Sequence, residues 1–85
     1  MRGDRVYLVF RKVKQNGVHK CTYVSRVYHR LKDASNDVYA QYQAEQFFGI
    51  VSGKIEGKVG GRLYAEMTTT DGREVKLWTA EYITI

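Results

Sequence analysis

Asn16-Gly17 stands between two runs rich in valine and aromatic residues, VYLVFRKVKQ and VHKCTYVSRVY. Both central residues of a tight hairpin turn take positive φ, which Asn-Gly tolerates best, so the pattern predicts a β-hairpin. A two-residue turn sets Gln15 against Val18, Phe10 against Tyr23 and Val6 against Val27. One face then carries Val6, Leu8, Phe10, Cys21, Tyr23 and Val27 and is apolar enough to be the core face. The other carries Tyr7, Val9, Arg11, Val13, Lys20, Thr22, Val24 and Arg26, which suits solvent or a partner. A longer loop shifts this register, and a one-residue slip exchanges the faces.

The next segment predicts a helix over about 34–48. Asp33 and Ser35 are N-cap candidates, because their side-chain oxygens accept orphaned backbone N–H groups. Asp33 and Asp37 suit the positive end of the helix dipole, and Gly49 suits its C-terminal stop. Leu31, Ala34, Val38 and Tyr42 form one apolar stripe. Ala40, Ala44, Phe47 and Phe48 form a second, which either touches another protomer or, in the favoured reading, lies half exposed.

In GIVSGKIEGKVGGRLY, glycine recurs at Gly49, Gly53, Gly57 and Gly61. A helix here would carry an interior glycine every turn, each costing about 1 kcal/mol relative to alanine. Lys54, Glu56, Lys58 and Arg62 exclude a lipid-embedded helix pair. The stretch lacks the hydroxyl and following helix of a phosphate-binding loop. As a strand, a four-residue beat puts the glycines on one face with Val51, Ile55, Val59 and Leu63. A loop at Gly60–Arg62 sets Val59 against Leu63, Gly57 against Ala65 and Ile55 against Met67, with Glu56 facing Glu66. Asp71-Gly72 predicts another hairpin. The last strand is apolar on both sides, with Val75, Leu77, Ile83 and Ile85 against Trp78, Ala80 and Tyr82. Such a strand is covered on both sides, by the helix and by a further layer such as a second protomer.

The order is ββαβββ, an α+β domain over residues 1–85 with one helix on a mostly antiparallel sheet. The opening VYLV, the Asn-Gly turn and the closing WTAEYI give it a topology that resembles small phage and bacterial accessory proteins. That resemblance implies non-enzymatic binding or host-interaction roles and transfers no site residue.

Charge is unevenly distributed. Residues 1–32 hold nine basic groups against Asp4, while residues 33–85 hold five basic against eight acidic. Arg11, Lys12, Lys14, Lys20, Arg26 and Arg30 are therefore candidate phosphate contacts, with Tyr7 as a stacking group. The expected partner is nucleic acid or an acidic protein surface. The plainer reading is an edge hairpin kept soluble by its lysines. The alternative function is a phage-encoded inhibitor or adaptor docking on a host enzyme. No cofactor, metal site or catalytic arrangement is predicted: His19 and His29 join the basic patch, and Cys21 reads as a small buried hydrophobe. A single cysteine, the charged N-terminus and the lack of an apolar run of membrane-spanning length point to a cytoplasmic, non-membrane protein. A homo-oligomer is a further expectation. Arg2-Gly3-Asp4 matches the integrin-binding tripeptide and reads as chance.

Overall fold

The structure, a computed structural model, describes residues 4–83, so the Arg2-Gly3 part of that tripeptide and Ile85 lie outside the described residues. The elements are β1 (Arg5–Gln15), β2 (Val18–Tyr28), α1 (Leu31–Phe48), β3 (Ile50–Gly57), β4 (Leu63–Thr69) and β5 (Arg73–Ile83). All strand pairs are antiparallel, in the order β2-β1-β5-β4-β3, and the helix packs on one face of this single sheet. The fold is the expected α+β arrangement. Asn16 and Gly17 hold φ of 51° and 82°, as an Asn-Gly turn requires. β1 and β5 pair from Arg5↔Ile83 to Gln15↔Arg73, which brings the Asp71-Gly72 turn beside Asn16. There the Asn16 N–H donates to the Gly72 carbonyl at 3.0 Å.

The first hairpin departs from the expected register and from the expected faces. Gln15 faces Val18 as expected, but β2 carries an extra residue at Lys20 and another at Ser25. Phe10 therefore faces Val24 rather than Tyr23, and Val27 faces Leu8 rather than Val6. The helix covers Tyr7, Val9, Arg11 and Val13, and leaves Val6, Leu8 and Phe10 on the opposite face. Apolarity alone favours the other assignment. The reversal follows from the polar groups that α1 carries: Glu45 and Gln41 meet Arg11, Asp37 meets Tyr28, and Gln41 meets Ser25. Cys21 is exposed rather than buried, because the outer strand β2 runs beyond the cover of the helix.

The core comprises Val9, Ala34, Val38, Tyr42, Leu63, Ala65, Met67, Val75 and Leu77. The helix starts at Leu31, earlier than expected, and its N-cap is Arg30, which makes no side-chain cap. Neither Asp33 nor Ser35 caps it. Asp33 accepts a hydrogen bond from Arg30 Nε at 3.1 Å, and the buried Ser35 hydroxyl accepts the Gly60 N–H at 2.9 Å. The Ala34–Val38–Tyr42 stripe faces the sheet, and Ala40, Ala44, Phe47 and Phe48 are exposed. Gly49 closes the helix at φ 106°.

β3 confirms a strand in the glycine stretch, with two corrections. Val51 is an extra residue and points outward, 71% exposed, so Ile50 rather than Val51 packs on the core. The β3–β4 loop spans residues 58–62, which sets Gly57 against Leu63 and Ile55 against Ala65. This two-residue shift preserves the faces and replaces the expected Glu56–Glu66 conflict with Lys54↔Glu66. A Cβ on Gly53 would lie 3.0 Å from both the Tyr42 hydroxyl and Ile50 Cδ1. That glycine lets the helix approach closely, as its place on the apolar face suggests.

Candidate polyanion interface

The seven residues grouped by sequence do not form one patch. Arg11 is withdrawn beneath the helix, its side chain 14% exposed, with Nη2 donating to Glu45 Oε1 at 2.8 Å and Nη1 to Gln41 Oε1 at 3.0 Å. It neutralises a carboxylate of its own chain and cannot be a phosphate contact. Tyr7 packs against the core on the same face, so it is not an exposed stacking platform. Arg30 pairs with Asp33 at the start of α1. Arg26, exposed on β2, is the register partner of Val9 and belongs to the helix side of the sheet. Lys12 and Lys14 stand on the other face, and Lys20 sits at the bulge near the hairpin tip. Among the described residues, none of these three lysines has a carboxylate oxygen within 4.0 Å.

Lys12 and Lys14 open onto the sheet face opposite the helix, where the register aligns side chains in rows across the strands. One row runs Thr22, Lys12, Lys76, Glu66, Lys54 from β2 to β3. The next runs Val24, Phe10, Trp78, Tyr64, Glu56. Beyond it lie Val27, Leu8 and Ala80. The Phe10 and Trp78 rings stack with centroids 5.4 Å apart and planes 9° apart. Phe10, Trp78, Tyr64 and Lys76 were missed as site residues. Their only sequence signal was the second apolar face of the last strand, which pointed to a covering layer; among the described residues the one helix lies on the other face.

In the first row two lysines are register partners. Lys12 faces Lys76 across β1 and β5, and Lys14 is two residues further along the same face. Opposed like charges destabilise a strand pair. Glu66 beside Lys76 and Glu74 opposite Lys14 offset part of this repulsion. Glu66 is itself engaged, accepting the Tyr64 hydroxyl at 2.6 Å. Burial and that hydrogen bond push the Tyr64 phenol up to about 12, so the ring stays neutral at physiological pH. On the helix side, burial opposes ionisation of Glu45. Hydrogen bonds from Arg11 and Arg73 outweigh it and hold the carboxyl below its usual range.

A shallow cleft adjoins the aromatic row, lined by Trp78, Thr79, Tyr64, Arg62 and Glu56. Among the described residues no group of His, Cys, Asp and Glu is placed to hold a metal ion, and no helix is long and apolar enough to cross a membrane. Comparison of the chain with protein-family models, with curated proteins and with solved structures found no match.

Proposed function

We propose that this protein is a small non-enzymatic module that binds nucleic acid, or another polyanion, on its open sheet face at the hairpin end. The observation that carries the reading is the Lys12↔Lys76 register pair, two like charges opposite each other beside Lys14 on a face that no described element covers. Such a pair costs stability in the free protein and gains an anion-binding role if a phosphate lies between the two ammonium groups. Local rules of stability are most often broken where function requires it. Lys20 extends the positive end toward the hairpin tip.

The test couples two measurements. Replacing Lys12 by threonine, which suits a strand and removes the repulsion, raises thermal stability and weakens binding to a short oligonucleotide. Between about 50 and 200 mM salt the wild-type affinity falls steeply, and losing one phosphate contact reduces the log–log salt slope by roughly 0.7–0.9. Absent or salt-insensitive binding in the wild type refutes the reading.

A second reading is a protein-binding inhibitor or adaptor, the role implied by the resemblance to small phage and bacterial accessory proteins. It is favoured by Phe47 and Phe48, which are 87% and 77% exposed at the end of α1. A stoichiometric protein complex that survives nuclease and is lost on replacing both phenylalanines by serine supports it.

A further inference from the structure

We infer that the cleft beside Trp78 holds one unpaired nucleobase, so that the strand bound by the lysine row is single-stranded. This rests on the polyanion reading above and adds a site that the reading does not require. The cleft measures about 340 Å³ and is formed by β5, β4, β3 and the loop between the last two. That is the low end of ligand cavities, suited to one flat ring system. Phe10 occupies one face of the Trp78 indole, from the β1 side, and the cleft opens on the β4 side. A base seated there extends an existing stack instead of building one.

The polar lining fits a nucleotide. Glu56 is an acceptor for an exocyclic amino group, its one ion pair among the described residues being with the exposed Lys54 at 3.1 Å. Arg62 has no carboxylate within 4.0 Å among the described residues and supplies a cation at the far end of the cleft. Tyr64, tied to Glu66 through its hydroxyl, gives a second ring wall. The Lys12–Lys76 row lies two residues along the strands from the aromatic row, about 7 Å, the reach from a base to its own phosphate. A duplex keeps its bases stacked and paired, and so offers no free base face to fill the cleft.

Trp78 is the sole tryptophan, so its fluorescence reports on this cleft directly. The protein is titrated with a single-stranded 12-mer, the matching duplex, an abasic strand of equal length and inorganic polyphosphate, at one salt concentration. All four should bind through the lysines, but only the base-bearing single strand should quench Trp78 and bind about tenfold more tightly than the abasic strand. Tyr64→Ala should remove most of that preference, and Arg62→Gln should reduce it while also lowering affinity for all four ligands by the contribution of one cation. Arg62 is exposed in a loop, so its variant keeps the test informative if Tyr64→Ala fails to fold. Binding of all four ligands with equal affinity and no quenching overturns the base subsite while leaving the polyanion reading intact. Binding of none overturns both. A protein partner that quenches Trp78 where no oligonucleotide does assigns the cleft to a protein side chain and also overturns the inference.

Discussion

Glu45 joins three parts of the molecule: its carboxylate sits on α1 and accepts from Arg11 of β1 and Arg73 of β5. Its folded-state carboxyl titrates below the unfolded value near 4.5, so the charged form stabilises the fold. That contribution is fully present above about pH 4.5 and is lost as pH falls through the lower folded value. Glu45→Gln should remove this part of the acid limb in urea unfolding followed against pH. It should also cost about 2–4 kcal/mol at pH 7, because the largely buried Arg11 guanidinium loses its carboxylate while Arg73 keeps only Asp71. An unchanged acid limb would assign acid sensitivity to other carboxylates. Gly53 gives a second residue-scale test. A Cβ there meets Tyr42 and Ile50 at 3.0 Å, so Gly53→Val should cost about 1–3 kcal/mol by overpacking, measured as a lower urea midpoint, with Gly53→Ala milder. The two positions differ in legibility. Glycine on the apolar parity of a strand announces a close approach. The burial of Arg11 depends on a carboxylate 34 residues away, and no local pattern carries that.

Strand β2 shows what element-scale reasoning can and cannot recover. The Asn-Gly turn, the helix stop at Gly49 and the strand parity of β4 and β5 were visible because each depends on adjacent residues. The bulges at Lys20 and Ser25 were not, because an extra residue is tolerated only where the facing strand and the helix accept the re-aimed side chains. The Ser25 hydroxyl donates to the Val9 carbonyl at 3.3 Å and accepts from Gln41 at 3.2 Å, and the bulge turns Tyr28 toward Asp37, with 2.7 Å between hydroxyl and carboxylate. β2 is also an outer strand with one edge unpaired among the described residues. Bulges and charges at Lys20 and Arg26 blunt such an edge against pairing with other chains. β2 is thus the edge strand that the plainer reading of the basic hairpin assumes, while Lys12 and Lys14 face the candidate interface. Deleting Ser25 should leave Val24 opposite Phe10 and Arg26 opposite Val9, straighten the edge and remove the hydroxyl that bonds both the Val9 carbonyl and Gln41. The expected outcome is a loss of about 1–3 kcal/mol in stability and light scattering that grows with protein concentration. Retained stability with no scattering would show that the bulge has no protective role.

At the scale of the molecule the sheet is protected, among the described residues, on one face only. The described residues extend over 48 × 24 × 16 Å, the thickness of one sheet and one helix layer. The expectation of a second layer on β5 rested on Trp78, Ala80 and Tyr82, and a second copy of the chain is one candidate for it. The apolar band from Val24 and Val27 through Phe10 and Trp78 to Tyr64 crosses four strands and about five residues of length. Strand spacing and rise make that about 300 Å², against the roughly 800 Å² per partner that a stable interface buries. Self-association through this band should therefore be weak and, on the polyanion reading, should compete with a nucleic-acid strand for the same surface. Sedimentation should give a mass close to the 9.8 kDa monomer at low micromolar concentration. The mass should rise as concentration increases and return to one protomer per oligonucleotide when a single strand is added. A tight dimer that oligonucleotide does not dissociate and that Phe10→Ser breaks would place the second copy on Phe10 and Trp78. The lysine row would then lie at the rim of a protein interface, and the nucleic-acid reading would fall with it.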